Sequence, residues 1–356
     1  MTGPRRWAGV LPFTQGTMRQ GLPLAVLSPG GELRPAAGRP LALWPDGSVR
    51  WCLVSFGARE AGRHEVVLDP AAVAEGPGVA LRQEGDRWIV ESDRLRIVLN
   101  ETGPGIFSEV TSDGHAYLEH PEDLSLRVDE ASSLHETRRA VRVIEQSPLR
   151  VRLRVEGGHY RATGERCLAY RLDVEVWAGW PALRLDYQYF HIEPGQPTLE
   201  IRRIACETAW KLGPDTQRHF LQRNHGLFYE PRHVFNPAPV AIAADFPSGE
   251  AHVEDPAMLL DDVDYPFYLK PPLVGTHDWL GVGDSERAVY LQMQDFLTAK
   301  PNRMTSAENR LALEMWPATA EPLALPQGRS RRQTITLAFL TQEAPDQAPK
   351  GLAATL

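Results

Sequence analysis

Three cysteines, Cys52, Cys167 and Cys206, are all that this 356-residue chain contains. Their odd number and wide spacing fit neither a disulfide framework nor a metal-binding pattern. They are expected to be reduced thiols, with Cys52 and Cys167 acting as small hydrophobes in strand-like runs. Long apolar runs are missing as well. Nothing approaches the roughly 20 residues that cross a bilayer, so no membrane partner is expected. The opening residues, with Arg5 and Arg6 among them, hold no apolar run of signal-peptide type, and a cytoplasmic location is the simplest expectation. A net charge of −8 argues against a nucleic-acid partner, because phosphate neutralisation needs a concentrated basic surface. No Gly-rich phosphate loop, dinucleotide fingerprint or nucleophile elbow occurs. Nucleotide-dependent chemistry is thereby set aside, and no cofactor is expected. There is no repeat of fixed period and no amphipathic helix of four turns.

What the chain does hold is a succession of short, alternating β-prone runs. Those predicted as strands are Arg63–Leu68, Arg87–Glu91, Leu95–Leu99, Val141–Ile144, Arg150–Glu156, Tyr170–Trp177, Leu183–Phe190 and Leu199–Ile204. Val240–Ala243, Ala288–Met293, Arg310–Trp316 and Gln333–Leu340 follow. With 29 Gly and 30 Pro spread between them, the pattern predicts an all-β protein of sandwich or barrel architecture. The length exceeds what one core usually supports. The cluster Pro70, Gly76, Pro77, Gly78 and Gly85 suggests a boundary that gives a small domain over 1–85, a large one over 86–345 and a tail over 346–356. Arginines at every second position, as in Arg150–Arg154, read as a solvated strand face.

The most specific stretch is Trp44-Pro-Asp-Gly-Ser-Val-Arg-Trp51. Asp-Gly tolerates φ > 0 at both central positions and predicts a tight hairpin between the flanking apolar runs. Leu11-Pro-Phe-Thr-Gln-Gly16 and Leu24–Leu33 precede it. Farther on come Leu95-Arg-Ile-Val-Leu99, Thr102-Gly-Pro-Gly-Ile-Phe107 and Asp113-Gly114, then Leu183–His191 and Leu311–Pro317. In this order the motifs resemble the first two domains of the exo-rhamnogalacturonan lyase family. The resemblance implies a small N-terminal β-barrel followed by a large antiparallel β-sandwich of galactose-mutarotase-like type. It also implies carbohydrate activity on uronate-containing oligosaccharides by β-elimination. The family adds a C-terminal helical toroid that bounds the substrate cleft, and no toroid follows Leu340. A separate helical-domain partner chain is one expectation raised by that departure.

The densest chemical segment is Arg218–His233, with three His, three Arg, one Tyr and one Glu. A uronate lyase neutralises the C6 carboxylate, removes the C5 proton and protonates the leaving oxygen. Arginine suits the first task through its planar bidentate fork, and His or Tyr suits the others. The expected assignments are Arg223 or Arg232 as clamp, His225 as base and Tyr229 as acid. A polar loop crossing the end of a sandwich collects the same residues without any chemistry. A metal site on His219, His225 and His233 has spacings of six and eight that match no short motif. For substrate binding, His277, Asp278 and Trp279 combine a stacking ring with polar groups; the bland reading is a turn with a packed tryptophan. Tyr187, Tyr189 and His191 share one strand face, which suits either a glycan platform or a packed core. Two alternatives to a lyase remain: a non-catalytic glycan-binding or assembly module, and a sugar epimerase-like enzyme with His and Glu or Asp facing across a cleft.

Overall fold

The structure is a computed structural model that describes residues 5–58, 62–68, 78–224, 232–244, 251–254, 274–276 and 278–341. Among the described residues there is no α-helix. The first five strands are β1 (Arg5–Pro12), β2 (Leu24–Leu27), β3 (Leu33–Leu43), β4 (Val49–Ala58) and β5 (Glu65–Leu68). They pair in the order β1-β4-β3-β2-β5 and curl around a core of Met18, Leu24, Val49, Cys52 and Val54.

The β3–β4 hairpin is present, but its turn differs from expectation. Gly47 alone takes the left-handed conformation, at φ 80°, and its N–H bonds to Trp44 O at 2.9 Å. The ladder slips around Ala42 and Leu43, as in a bulged hairpin rather than a two-residue one. Ser48 donates its N–H and its hydroxyl to the Asp46 carboxylate, which lowers the Asp46 pKa. The flanking tryptophans are not core. The Trp44 indole donates to Phe13 O at 3.0 Å, and Trp51 is 40% exposed.

A second sheet holds β6 (Val79–Glu84), β7 (Arg87–Ser92), β8 (Leu95–Asn100), β9 (Phe107–Ser112) and β10 (His115–Ala116). Gly85, at φ 65°, turns the β6–β7 hairpin. The strand pairing therefore puts 79–84 with the large domain, before the boundary expected at 85. Residues 69–77 and the tail at 346–356 lie outside the described residues.

The sandwich proper opens with β11 (Leu124–Val128), β12 (Ala131–Ser132), β13 (Ala140–Gln146), β14 (Arg150–Tyr160), β15 (Arg166–Trp177) and β16 (Ala182–Phe190). It continues through β17 (Thr198–Ile201), β18 (Ile204–Ala209), β19 (Gln217–Asn224), β20 (Arg232–Asn236), β21 (Val240–Ala244), β22 (Ala251–Val253) and β23 (Val274–Thr276). The last strands are β24 (Trp279–Gly283), β25 (Arg287–Met293), β26 (Asn302–Ala307), β27 (Arg310–Trp316), β28 (Leu323–Pro326) and β29 (Ser330–Thr341). One layer runs β13-β14-β15-β16-β29-β25-β24-β19. The other runs β11-β18-β27-β26-β21-β22. Alternation buries Leu183, Leu185, Leu291 and Leu337 of the first against Leu126, Cys206, Leu313 and Met304 of the second, and Ile97 and Phe107 of the smaller sheet join the same core.

The arginines at every second position lie on the outer face in ion pairs. Arg150 meets Glu145 at 2.6 Å, and Arg152 and Arg154 both meet Asp173 at 2.6 Å. Arg332 of the later basic run meets Asp186 at 2.7 Å. Arg150, Asp173 and Asp186 are themselves buried in these pairs, so the expected solvated face is instead a packed network of charges. At the barrel end, an ion pair between Arg39 and Glu145, 3.9 Å apart, links the two domains.

Candidate functional site

The chemistry-rich segment forms β19 and β20. β19 lies between β20 on one side and β23 with β24 on the other. Arg232 stands opposite Gln222, and Arg223 stands opposite Gly275. The two candidate clamp arginines and the strand leading to Asp278 and Trp279 are thus gathered at one end of the sandwich. His225, Tyr229 and His277 lie outside the described residues.

Below this corner sits a pair that the sequence reading missed. His219 Nδ1 and the Tyr290 hydroxyl are 2.8 Å apart. His219, Gly281 and Tyr290 occupy one row across β19, β24 and β25. A Cβ on Gly281 would fall 2.5 Å from the Tyr290 ring; its absence lets the ring cross the middle strand and reach His219. A glycine inside a strand signals such a close approach, and Gly281 was the sequence feature that could have pointed to Tyr290. Phe235 stacks on the imidazole at 4.1 Å between ring centroids, and Trp279 meets it edge-on at 5.1 Å. Burial pushes the Tyr290 hydroxyl up, so it keeps its proton and can donate to Nδ1.

His219 is 3% exposed and Trp279 7%. Trp279 is therefore a wall of this aromatic box rather than an open stacking surface. Asp278 is half-buried and accepts from Gln292 Nε2 at 3.2 Å. Arg218, first of the three segment arginines, is also spoken for. Its guanidinium donates to the carbonyls of Thr216, Pro237 and Glu308, so it ties loops together. Among the described residues no group of three metal-ligating side chains converges.

Tyr187, Tyr189 and His191 are corrected from platform to core. All three are 0% exposed. Alternation groups them on one face, but that face of β16 meets the opposite layer, while Arg184, Asp186 and Gln188 take the outside. The Tyr187 hydroxyl and one nitrogen of His191 find partners inside. The Tyr187 hydroxyl lies 2.8 Å from His159 Nε2, and His159 Nδ1 lies 3.2 Å from Leu168 O. A carbonyl can only accept, so Nδ1 carries the proton and Nε2 accepts from Tyr187. Burial lowers the His159 pKa to about 4. His191 Nε2 donates to Gln196 O at 2.6 Å. The Tyr187–His159 pair is thus satisfied, whereas the Tyr189 hydroxyl and His191 Nδ1 are buried without a hydrogen-bond partner among the described residues.

Residues 6–71 match the family model described as the PcRGLX-like N-terminal RIFT barrel domain. The Bacillus subtilis (strain 168) protein YetA is 25% identical over 252 residues, covering 65% of this chain and 29% of YetA. The chain thus spans under a third of that curated relative's length. Among solved structures, a glycosyl hydrolase family 38 protein from Enterococcus faecalis aligns over 100% of this chain and 45% of its own, at 11% identity and a TM-score of 0.52. A galactose mutarotase-like protein from Lactobacillus casei aligns over 74% of this chain and 100% of its own, at 12% identity and a TM-score of 0.38. At 11% identity the likeness to the glycosyl hydrolase family 38 protein is one of fold alone. The family resemblance rests on the barrel: residues 6–71 are similar to the PcRGLX-like N-terminal RIFT barrel domain.

Proposed function

We propose that this protein acts on uronate-containing oligosaccharides by β-elimination, at the end of the sandwich where β19, β20, β23 and β24 meet. Arg223 and Arg232 take the C6 carboxylate, which acidifies the C5 proton. His225 removes that proton, the bond from C4 to the leaving oxygen breaks, and Tyr229 protonates the oxygen. The product carries a C4–C5 double bond. The observation that carries this reading is the arrangement of β19. It is anchored at His219 by Tyr290 and runs four residues on to Arg223, between the strand of Arg232 and the strand leading to His277. His219 and Tyr290, being buried, are positioning residues here. They hold the strand that presents the clamp.

The test is absorbance from the unsaturated uronate when the protein meets rhamnogalacturonan oligosaccharides. Activity in the parent and its loss in Arg223→Ala and His225→Ala is the expected outcome. Unchanged turnover in both variants refutes the assignment. A second reading, a glycan-binding module without catalysis, is favoured by the closing of His219 under Phe235 and Trp279. It predicts retention on a glycan column with no gain in absorbance.

A further inference from the structure

A second polar centre lies on the far side of the sandwich. The segment after the 3-10 turn Ser133–His135 runs over β14 and β15 beside the 100–105 loop. Two adjacent arginines there do opposite things. Arg139 is fully buried. Its guanidinium donates to the carbonyls of Asn100 at 3.2 Å, Gly103 at 2.8 Å, Gly105 and Glu136, and its Nε lies 3.3 Å from Glu136 Oε2. Arg138 is exposed and makes no ion pair among the described residues, although its backbone is pinned by a bridge to Thr102. The anchored arginine thus fixes the place from which the free one projects.

Beneath them is a cleft of about 750 Å³. Its floor is the Glu136 carboxyl, which accepts from Gly158 N–H at 2.8 Å and from the Tyr170 hydroxyl at 2.8 Å. Its wall is formed by Tyr160, Ala169, Phe190 and Arg171. The Arg171 guanidinium lies 5.9 Å over the Phe190 ring and is held by Glu156 at 3.0 Å. Arg166, also in the wall, is held by Glu193 at 2.6 Å. Glu101 lines the opposite rim and accepts from the Trp88 indole at 2.8 Å. Of the four guanidinium groups around the cleft, Arg138 alone is left to meet an incoming anion. The lining combines apolar surface from Val141, Ala169 and Phe190 with charged side chains of both signs.

We propose that this cleft is a sugar-binding site, separate from the β19 corner, that takes a carboxylate-bearing pyranose residue. Arg138 forks the carboxylate, and Phe190 and Tyr160 pack against the ring. The carboxylate is inferred from Arg138; the choice of a sugar rests on the function proposed above. A chain binding one acidic glycan at two ends gains residence time on it without further catalytic groups.

Hydrogen exchange measured with tetragalacturonate and with a neutral galactan tetramer tests the assignment. Tetragalacturonate should protect amides in 136–142 and 156–171, and the neutral sugar should not. Arg138→Ala, at an exposed position, should lower tetragalacturonate affinity by about tenfold or more, with Arg138→Lys intermediate because ammonium is only a point charge. Protection confined to 217–236, equal binding of the neutral sugar, or unchanged affinity in Arg138→Ala would overturn it. Protection here without any absorbance gain refutes only the lyase reading. Absorbance gain without protection here refutes only this site.

Discussion

Replacing Gly157 by alanine is the sharpest probe of the buried carboxyl. Gly157 lies inside β14, and a Cβ there would fall 2.4 Å from both Glu136 oxygens and 2.7 Å from the carboxyl carbon. A flexible surface glutamate would step aside. This one is 2% exposed and held by Arg139, by the Gly158 N–H and by the Tyr170 hydroxyl. Overpacking a well-filled site costs about 1–3 kcal/mol. Displacing the carboxyl also leaves a buried donor unsatisfied, at about 1–3 kcal/mol more. A total near 3 kcal/mol corresponds to a melting temperature lower by about 6–12 °C for a domain of this size. Thermal unfolding followed by near-ultraviolet circular dichroism measures it. Gly78→Ala is the control, since its Cβ meets only Pro148 O at 3.7 Å, and it should be nearly neutral. In a Glu136→Ala background the new methyl enters vacated space. The cost of Gly157→Ala should then drop below about 1 kcal/mol, a coupling of about 2 kcal/mol in a double-mutant cycle. Equal costs in the two backgrounds would refute the clash.

Two further outcomes follow from the buried networks. His159 is held neutral with its pKa lowered to about 4, against about 6.5 when unfolded, so between these values the unfolded chain binds the extra proton. Stability is therefore fully present above pH 6.5 and falls as the pH drops toward 4, by about 3 kcal/mol in all; urea unfolding at pH 7 and pH 5 should show the loss, and His159→Gln should flatten it. Tyr290→Phe removes the partner of His219 and should cost about 1–2 kcal/mol while lowering lyase turnover more than substrate affinity; an unchanged kcat would exclude a positioning role for the pair.

Much of the fold was legible because strand alternation is a local property. The runs read as Arg87–Glu91, Leu183–Phe190 and Ala288–Met293 are β7, β16 and β25 within a residue or two. The run Leu199–Ile204 was read as one strand, yet it splits into β17 and the start of β18, with Asp129 accepting from the N–H groups of Arg202 and Arg203 between them. That break depends on a residue more than seventy positions away. The barrel was legible through one hairpin, though the turn chemistry was misjudged because Asp46 does not adopt positive φ. The site was legible only in part. The Arg/His/Tyr density marked β19 and β20, while Tyr290, Glu136 and Tyr170 carried no local sign of importance.

The sequence by itself determined the β class, the succession of most strands along the chain and the absence of nucleotide-binding motifs, while the barrel ahead of the sandwich came from the family resemblance. The β class and the strand succession rest on period, turn residues or composition within a short window. Tertiary structure alone decided which face of each strand is the inside. A period of two groups Tyr187, Tyr189 and His191 but is silent on whether that group meets water or the opposite layer, and here the layer covers it. It also decided that Gly281 and Gly157 are spaces made for the Tyr290 ring and the Glu136 carboxyl. The first contact joins two strands through their register, and the second joins β14 to the segment ahead of β13.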